Sequence, residues 1–156
     1  MRLFNKGRWS PHSLLGRCVL WAALGASCTA LPAAAEGFSL IAQKDVPLAV
    51  ISKNELRSLY ALRVQQFADG TPVTLVVLPD QDPRHRTFAT TVLNVFPYVL
   101  RENWDKKTFT GAARPPITVD SPEAMVRKVA TTPGALGYLP GKEKTHYEGI
   151  RYVEVR

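Results

Sequence analysis

An apolar strand runs directly into a helix start at residues 73–88, Val73-Thr74-Leu75-Val76-Val77-Leu78-Pro79-Asp80-Gln81-Asp82-Pro83-Arg84-His85-Arg86-Thr87-Phe88. Residues 73–78 contain a single polar side chain, which is typical of an interior strand that is covered on both faces. Asp82 is a good N-cap and Pro83 fits the first position of a helix. We therefore expect a helix over residues 83–95, directly after an interior strand.

Strands and helices alternate on both sides of this junction. Strands are expected at Phe38–Ala42, Ile117–Val119, Ala135–Leu139 and Ile150–Val155, the last of them at a sheet edge. Helices are expected at Lys53–Leu62, at Tyr98–Lys107 with Tyr98, Leu100 and Trp104 on its apolar face, and from Pro122 onward. Val46–Ile51 contains Pro47 and is expected to be an edge strand or an irregular connection. This alternation predicts an α/β fold with a central sheet.

The first 35 residues have the three parts of a secretory signal peptide. A basic start without acidic residues precedes an uncharged, mostly apolar run over residues 18–31, and three alanines follow at 33–35. The apolar run is shorter than the ~20 residues that a membrane-spanning helix needs. We expect cleavage after residue 35, which leaves residues 36–156 as a single periplasmic domain without a transmembrane span. A lipoprotein signal with Cys28 as the acylated residue is the alternative.

Cleavage changes what the composition implies. The whole chain has a formal net charge of +7, but four basic residues lie in the predicted signal peptide, so residues 36–156 carry +3. A nucleic-acid partner, which a strongly basic chain would suggest, is therefore not expected. Cys18 and Cys28 also lie in the signal peptide, so the predicted domain has no disulfide and no thiol nucleophile. Its 121 residues are enough for one hydrophobic core.

The turn from Asp82 to Thr87 is the candidate ligand site. Backbone N–H groups at a helix start, with basic side chains beside them, can hold a small oxyanion such as phosphate. The expected ligand-binding residues are Arg84, His85, Arg86 and Thr87. The alternative is structural, because Asp82 can cap the helix with its own carboxylate and the basic residues can form a solvated face.

Other kinds of site have less support. Only two histidines, His85 and His146, follow residue 35 and they are far apart in the sequence, so no metal site and no cofactor is predicted. No serine lies in a Gly-x-Ser-x-Gly turn and no pair of carboxylates is singled out, so we predict that the protein is not an enzyme. Arg63 and Arg114 are candidates for a second basic contribution, or are exposed loop arginines.

Three stretches, taken in chain order, carry a family resemblance. The first is Ser52–Arg63 followed by Phe67–Val73, and the second is Trp104 followed by Phe109-Thr110-Gly111 and Arg114-Pro115-Pro116. The third and most specific is Thr132-Pro133-Gly134-Ala135-Leu136-Gly137-Tyr138-Leu139, with Val129 before it. Together they resemble the phosphate-type periplasmic substrate-binding proteins of ABC transporters, as a short single-lobe member.

The resemblance implies one lobe of a type 2 periplasmic-binding-protein-like fold, with a mixed central sheet flanked by helices. It also implies a non-enzymatic solute-binding protein related to phosphate uptake, with an ABC permease as a partner. The chain departs from the family in its single lobe, and in residues 79–86, which lack the serine and glycine that hold phosphate. The alternative is an envelope protein-interaction module that has lost small-ligand binding, in which a partner or a second copy replaces the missing lobe.

Overall fold

The computed structural model describes residues 37–142 and 144–156. The predicted signal peptide and its Cys28 alternative lie outside the described residues. The elements in chain order are β1 (Phe38–Gln43), β2 (Val50–Ile51), α1 (Lys53–Tyr60), β3 (Thr74–Val77), α2 (Pro83–Thr87), a π-helical segment (Phe88–Val92), α3 (Pro97–Phe109), β4 (Ile117–Thr118), α4 (Pro122–Thr131), β5 (Ala135–Pro140) and β6 (Ile150–Val155). Within the described ranges, no helix combines the length and the apolar character that a membrane crossing requires.

The six strands form one mixed sheet in the order β2-β6-β1-β5-β3-β4. β1 is antiparallel to both β5 and β6, whereas β2 is parallel to β6, and β3 is parallel to β4 and β5. The interior position predicted for β3 is confirmed. The edge position predicted for Ile150–Val155 is wrong, because β6 lies between β1 and the two-residue edge strand β2. Alternation along a strand indicates which face is covered, and it does not indicate whether both edges are paired.

One hydrophobic core joins the sheet to the helices. Trp104 is 1% exposed and its indole N–H donates to the Tyr60 carbonyl at 2.6 Å, which confirms its predicted core position. The indole thereby binds a carbonyl at the end of α1, which stops at Tyr60 rather than at Leu62. The placement of Tyr98 on the same face is wrong, since Tyr98 is 69% exposed and stacks on Phe96. Tyr98 is two positions before Leu100, and side chains two apart do not share a helix face.

The helix starts follow the predicted caps. Ser52 accepts the Glu55 N–H at 3.2 Å, and Asp82 accepts the Arg84 N–H at 2.8 Å. Ser121 caps α4 in the same way and Pro122 occupies the first turn, as Pro83 does in α2. Local side-chain chemistry therefore sets where these helices begin.

The helix predicted over residues 83–95 is interrupted. α2 ends at Thr87, the next turn is π-helical, and the Leu93 N–H donates to the Phe88 carbonyl five residues back at 3.3 Å. The hydroxyls of Thr87, Thr90 and Thr91 each donate to a carbonyl four residues earlier. Threonine hydroxyls that bond in this way compete with the backbone ladder and bend helices.

α4 packs closely over β5 at Gly137. A Cβ atom at Gly137 would lie 2.9 Å from a Val129 methyl group and 3.1 Å from the Met125 side chain. The next residue, Tyr138, donates its backbone N–H to the Met125 sulfur at 3.1 Å. A glycine within a strand often marks such a close approach, because it has no side chain to pack. This approach brings Tyr138 into the core beneath the β3–α2 connection.

Candidate functional site

The connection between β3 and α2, here called the β3–α2 turn (residues 79–87), lies at the carboxyl edge of the parallel strands. β3 pairs in parallel with β4 and with β5, so the three strands end on the same side of the sheet. The crevice outside the carboxyl ends of parallel strands is a common ligand position in open α/β sheets. This turn carries all four predicted ligand residues, Arg84, His85, Arg86 and Thr87.

Asp82 and Arg84 form a closed pair at the start of α2. The Asp82 carboxylate accepts the Arg84 backbone N–H at 2.8 Å and the Arg84 guanidinium N–H groups at 2.9 and 2.6 Å. The hydrogen bonds from Arg84 lower the pKa of Asp82, and the same bonds raise the pKa of Arg84. Pro83 has no N–H to offer. An internal carboxylate therefore holds the amide and the guanidinium that an incoming oxyanion would use.

Asp80 is clamped by Arg101 of α3. Nε and Nη2 of Arg101 donate to the two carboxylate oxygens at 2.6 and 2.9 Å, which is a bidentate geometry. These bonds lower the pKa of Asp80 and raise the pKa of Arg101. The Arg101 guanidinium also lies 5.1 Å from the ring centroid of Trp104 and 3.7 Å from Asp105. The clamp fastens the β3–α2 turn to α3.

His85 points into the protein. Its side chain has 0% exposed surface, and its Nδ1 lies 2.6 Å from the Tyr138 hydroxyl oxygen. That hydroxyl also accepts the Leu78 N–H at 3.1 Å, so Tyr138 links the His85 ring to the backbone directly after β3. Among the described residues Nε2 has no hydrogen-bond partner, and it lies 4.0 Å from an Asp80 oxygen. Burial lowers the pKa of His85, so the ring is neutral at pH 7.

Arg86 and Thr87 lie on the exposed side of α2. Arg86 donates from Nε to the Asp80 backbone carbonyl at 3.3 Å, and the Thr87 hydroxyl donates to the Pro83 carbonyl at 2.9 Å. Arg84 is partly buried and Arg86 is exposed, and because the two are two positions apart in α2 they do not share a helix face. The structure places His85 in the interior rather than at the surface. The Thr87 hydroxyl donates its proton to a carbonyl within the helix.

Sequence reasoning missed two members of this cluster. Arg101 is 21 positions from Asp80, and nothing in the residues around Arg101 indicates a contact with Asp80. Asp80 itself could have been predicted as a site residue, because it is an aspartate that directly follows an interior strand. Tyr138 is 53 positions from His85, and no signal in the sequence indicated that its strand, β5, pairs with β3. In the part of the chain that the structure describes, no group of three or more His, Cys, Asp or Glu side chains could hold a metal ion.

Solved structures with the same fold include phosphate-binding components of ABC transporters. One is assigned as a phosphate ABC transporter substrate-binding protein with bound phosphate from Clostridium perfringens, at 14% identity and a TM-score of 0.61, over 77% of this chain and 45% of that chain. An ABC-type phosphate transport receptor from Vibrio cholerae matches at 11% identity and a TM-score of 0.59, over 77% and 46%. PstS from Borrelia burgdorferi matches at 13% identity and a TM-score of 0.56, over 77% and 47%. No protein-family model and no curated protein matches the chain.

The chain spans about half the length of these structures. The likeness confirms the predicted fold class, one lobe of a type 2 periplasmic-binding-protein-like fold with a mixed sheet and flanking helices. It also confirms, at the level of the fold, the resemblance to phosphate ABC transporter substrate-binding proteins. The first two neighbours are described as a substrate-binding protein and a transport receptor.

Proposed function

We propose that this chain is a non-enzymatic, periplasmic solute-binding protein that holds a small oxyanion such as phosphate at the β3–α2 turn. The Asp82–Arg84 pair carries the proposal, because a carboxylate is itself an oxyanion and is held there by a backbone amide and a guanidinium. The structural neighbour with bound phosphate supports the same ligand class. The predicted signal peptide at residues 1–35 supports export.

The charges around the turn favour an anion, but weakly. The Arg84 guanidinium is paired with Asp82, and the Arg101 guanidinium is paired with both Asp80 and Asp105. Arg86 is exposed and adds a positive charge that is bonded only to a backbone carbonyl among the described residues. An external oxyanion would have to displace the Asp82 carboxylate from Arg84, and the positive charge of Arg86 would assist it only at longer range. Binding should therefore be weak and sensitive to ionic strength.

Isothermal titration calorimetry with inorganic phosphate tests the proposal. Asn in place of Asp82 can still cap the helix through its side-chain oxygen but carries no competing charge. We expect Asp82→Asn to bind phosphate at least about tenfold more tightly than the unmodified protein, which corresponds to about 1.4 kcal/mol. We expect Arg84→Gln to bind more weakly than the unmodified protein.

Glu148→Gln is the matched control. It also removes one negative charge, but in the loop before β6. That loop lies at the opposite ends of the strands from the β3–α2 turn. Its phosphate affinity should equal that of the unmodified protein within about twofold, because a charge beyond the Debye length of about 10 Å is largely screened. Absence of heat with both the unmodified protein and Asp82→Asn would reject the proposal.

The second candidate is an envelope protein-interaction module, and two exposed aromatic residues favour it. Phe96 and Tyr98 are 62% and 69% exposed and stack with ring centroids 5.8 Å apart at the start of α3. Aromatic side chains are enriched in protein interfaces relative to other surfaces. Because the chain spans about half the length of its structural neighbours, a second copy would supply a comparable length of chain. A permease or another envelope protein is the alternative partner.

A further inference from the structure

A second concave site lies at the amino edge of the same sheet, where the parallel strands β3, β4 and β5 begin. It is at the opposite ends of these strands from the β3–α2 turn. This amino-edge groove has a volume of about 1000 Å³ and is formed by the loop between α1 and β3, the first residues of β3 and β4, and the residues just before β4 and β5. Pockets that hold small organic ligands measure roughly 300–1,000 Å³. The groove is therefore large enough for an organic molecule, and it is independent of the oxyanion site proposed above.

The charged side chains that line the groove are both cationic. Arg63 and Arg114 approach it from two different loops, and no acidic side chain is part of its lining. Within residues 37–142 and 144–156, neither guanidinium forms a hydrogen bond or an ion pair. The closest acidic residue along the loop, Asp69, accepts hydrogen bonds from the Thr71 amide and hydroxyl. The two guanidiniums thus leave a positive field that an anion would neutralise.

The groove walls are fixed by hydrogen bonds before any ligand arrives. The Gln65 side-chain amide donates to the Ala112 carbonyl at 2.9 Å, which joins the two loops that carry the arginines. The Val73 N–H donates to the Gln65 carbonyl at 2.8 Å, and the Thr74 N–H donates to the Gly134 carbonyl at 2.9 Å. A site that is formed in advance loses less conformational entropy when it binds a ligand.

Apolar surface completes the lining. Val64 is 42% exposed on the groove wall, and Ile117 is partly buried at the start of β4. Leu62, Phe67 and Leu75 form buried parts of the lining. Such a surface binds an apolar body, whereas the two arginines bind a negative charge.

We propose that the amino-edge groove binds a small organic acid, with one anionic group between Arg63 and Arg114 and an apolar body against Val64 and Ile117. Inorganic anions lack the apolar body and are poor ligands for this groove. Uncharged apolar molecules lack the anionic group and are poor ligands as well. The groove is thus selective for molecules that combine both features.

Fluorescence titration with 8-anilinonaphthalene-1-sulfonate, an aromatic sulfonate, tests this site in the purified protein. We expect saturable binding that octanoate displaces and that octanol, of equal chain length but without charge, displaces at least tenfold less effectively. The double variant Arg63→Gln/Arg114→Gln should weaken binding of the dye at least tenfold. Gln66→Glu, which places a carboxylate in the lining, should weaken it in the same direction.

Arg156→Gln is the control for loss of a positive charge, because Arg156 follows β6 on the far side of the sheet from the groove. This variant should bind the dye with unchanged affinity. Thermal melting of each variant establishes that it is folded. Unchanged dye affinity in both the double variant and Gln66→Glu, or equal displacement by octanol and octanoate, would overturn the proposal.

Discussion

At the scale of single residues, the three consecutive basic side chains of α2 differ in their burial, because each points in a different direction from the helix axis. Arg84 and Arg86 stay at the surface, while the His85 ring is buried and is held through Nδ1 by Tyr138. The buried ring lies 4.0 Å from Asp80, which in turn is held by Arg101. His85 therefore supports the β3–α2 turn from inside the protein.

A pH dependence of stability follows from this burial. Because burial lowers the pKa of His85 in the folded protein, the unfolded chain takes up a proton near its ordinary pKa of about 6.5 while the folded protein does not. The free energy of unfolding should be unaffected by this group above about pH 7. Below about pH 6.5 it should fall by up to about 1.4 kcal/mol per pH unit until the folded pKa is reached.

Urea denaturation at pH 7.5, 6.5, 5.5 and 5.0 measures this slope. His85→Gln should flatten it, since glutamine does not titrate. His146→Gln removes the exposed histidine of the described residues and should leave the slope intact. The carboxyl groups of Asp80 and Asp82, whose pKa values are lowered by Arg101 and Arg84, should contribute only at still lower pH. A flat profile between pH 7.5 and 5.0 in the unmodified protein contradicts the prediction.

At the scale of elements, the turn between α4 and β5 is locked against the start of β3. Gly134 has φ +68°, a left-handed conformation that side chains rarely adopt, and its carbonyl accepts the Thr74 N–H at 2.9 Å. A Cβ atom at Gly134 would overlap the Pro72 carbonyl oxygen. The glycine is therefore required both for the backbone conformation and for the close approach of Pro72.

Gly134→Ala and Gly111→Ala separate these two requirements. Gly111 has φ +69°, but a Cβ atom there would meet nothing within 4 Å. Gly111→Ala should cost about 1–2 kcal/mol of unfolding free energy, which is the cost of the left-handed conformation alone. Gly134→Ala should cost at least about 3 kcal/mol, because the backbone of Pro72 has to move as well. Urea denaturation at pH 7.5 measures both values, and equal costs would show that the contact with Pro72 is unimportant.

The elements also show which features the sequence could reveal. Caps such as Ser52 and Asp82 act through neighbouring amides, so the helix starts were predictable. The interior position of β3 was predictable because two covered faces require an apolar run. The pairing of β6 on both edges depends on β1 and β2, which are distant in sequence, and no local pattern encodes it.

The candidate site was predictable only in part, for the same reason. The strand-to-helix junction and the Asp82 cap could be read from adjacent residues. The Arg101 clamp on Asp80 and the Tyr138 contact with His85 arise from packing between elements that are far apart in sequence. The inward direction of His85 depends on those contacts. The residues of the turn alone therefore led to its prediction as a ligand-binding residue beside Arg84 and Arg86.

At the scale of the whole molecule, the exposed stack of Phe96 and Tyr98 predicts self-association under the interaction-module proposal. Light scattering coupled to size exclusion should then show a dimer, and Phe96→Ser/Tyr98→Ser should shift it to the monomer. Tyr147→Ser removes an aromatic side chain that is 38% exposed elsewhere and should leave the dimer intact. A monomer at every concentration, with no envelope protein crosslinked to the unmodified chain, rejects this candidate.

The central strand β1 also constrains the order of folding. Its two neighbours, β5 and β6, come after the other strands in the described part of the chain, and the bond from the Ser39 hydroxyl to the Gly141 carbonyl closes a separation of 102 positions. Contacts of such long range slow folding, because the entropy of closing the loop is lost before the contacts form. The sheet therefore cannot close around β1 until β5 and β6 have been synthesised. For a chain exported as proposed, export that starts before synthesis ends would meet a polypeptide whose sheet has not yet closed around β1.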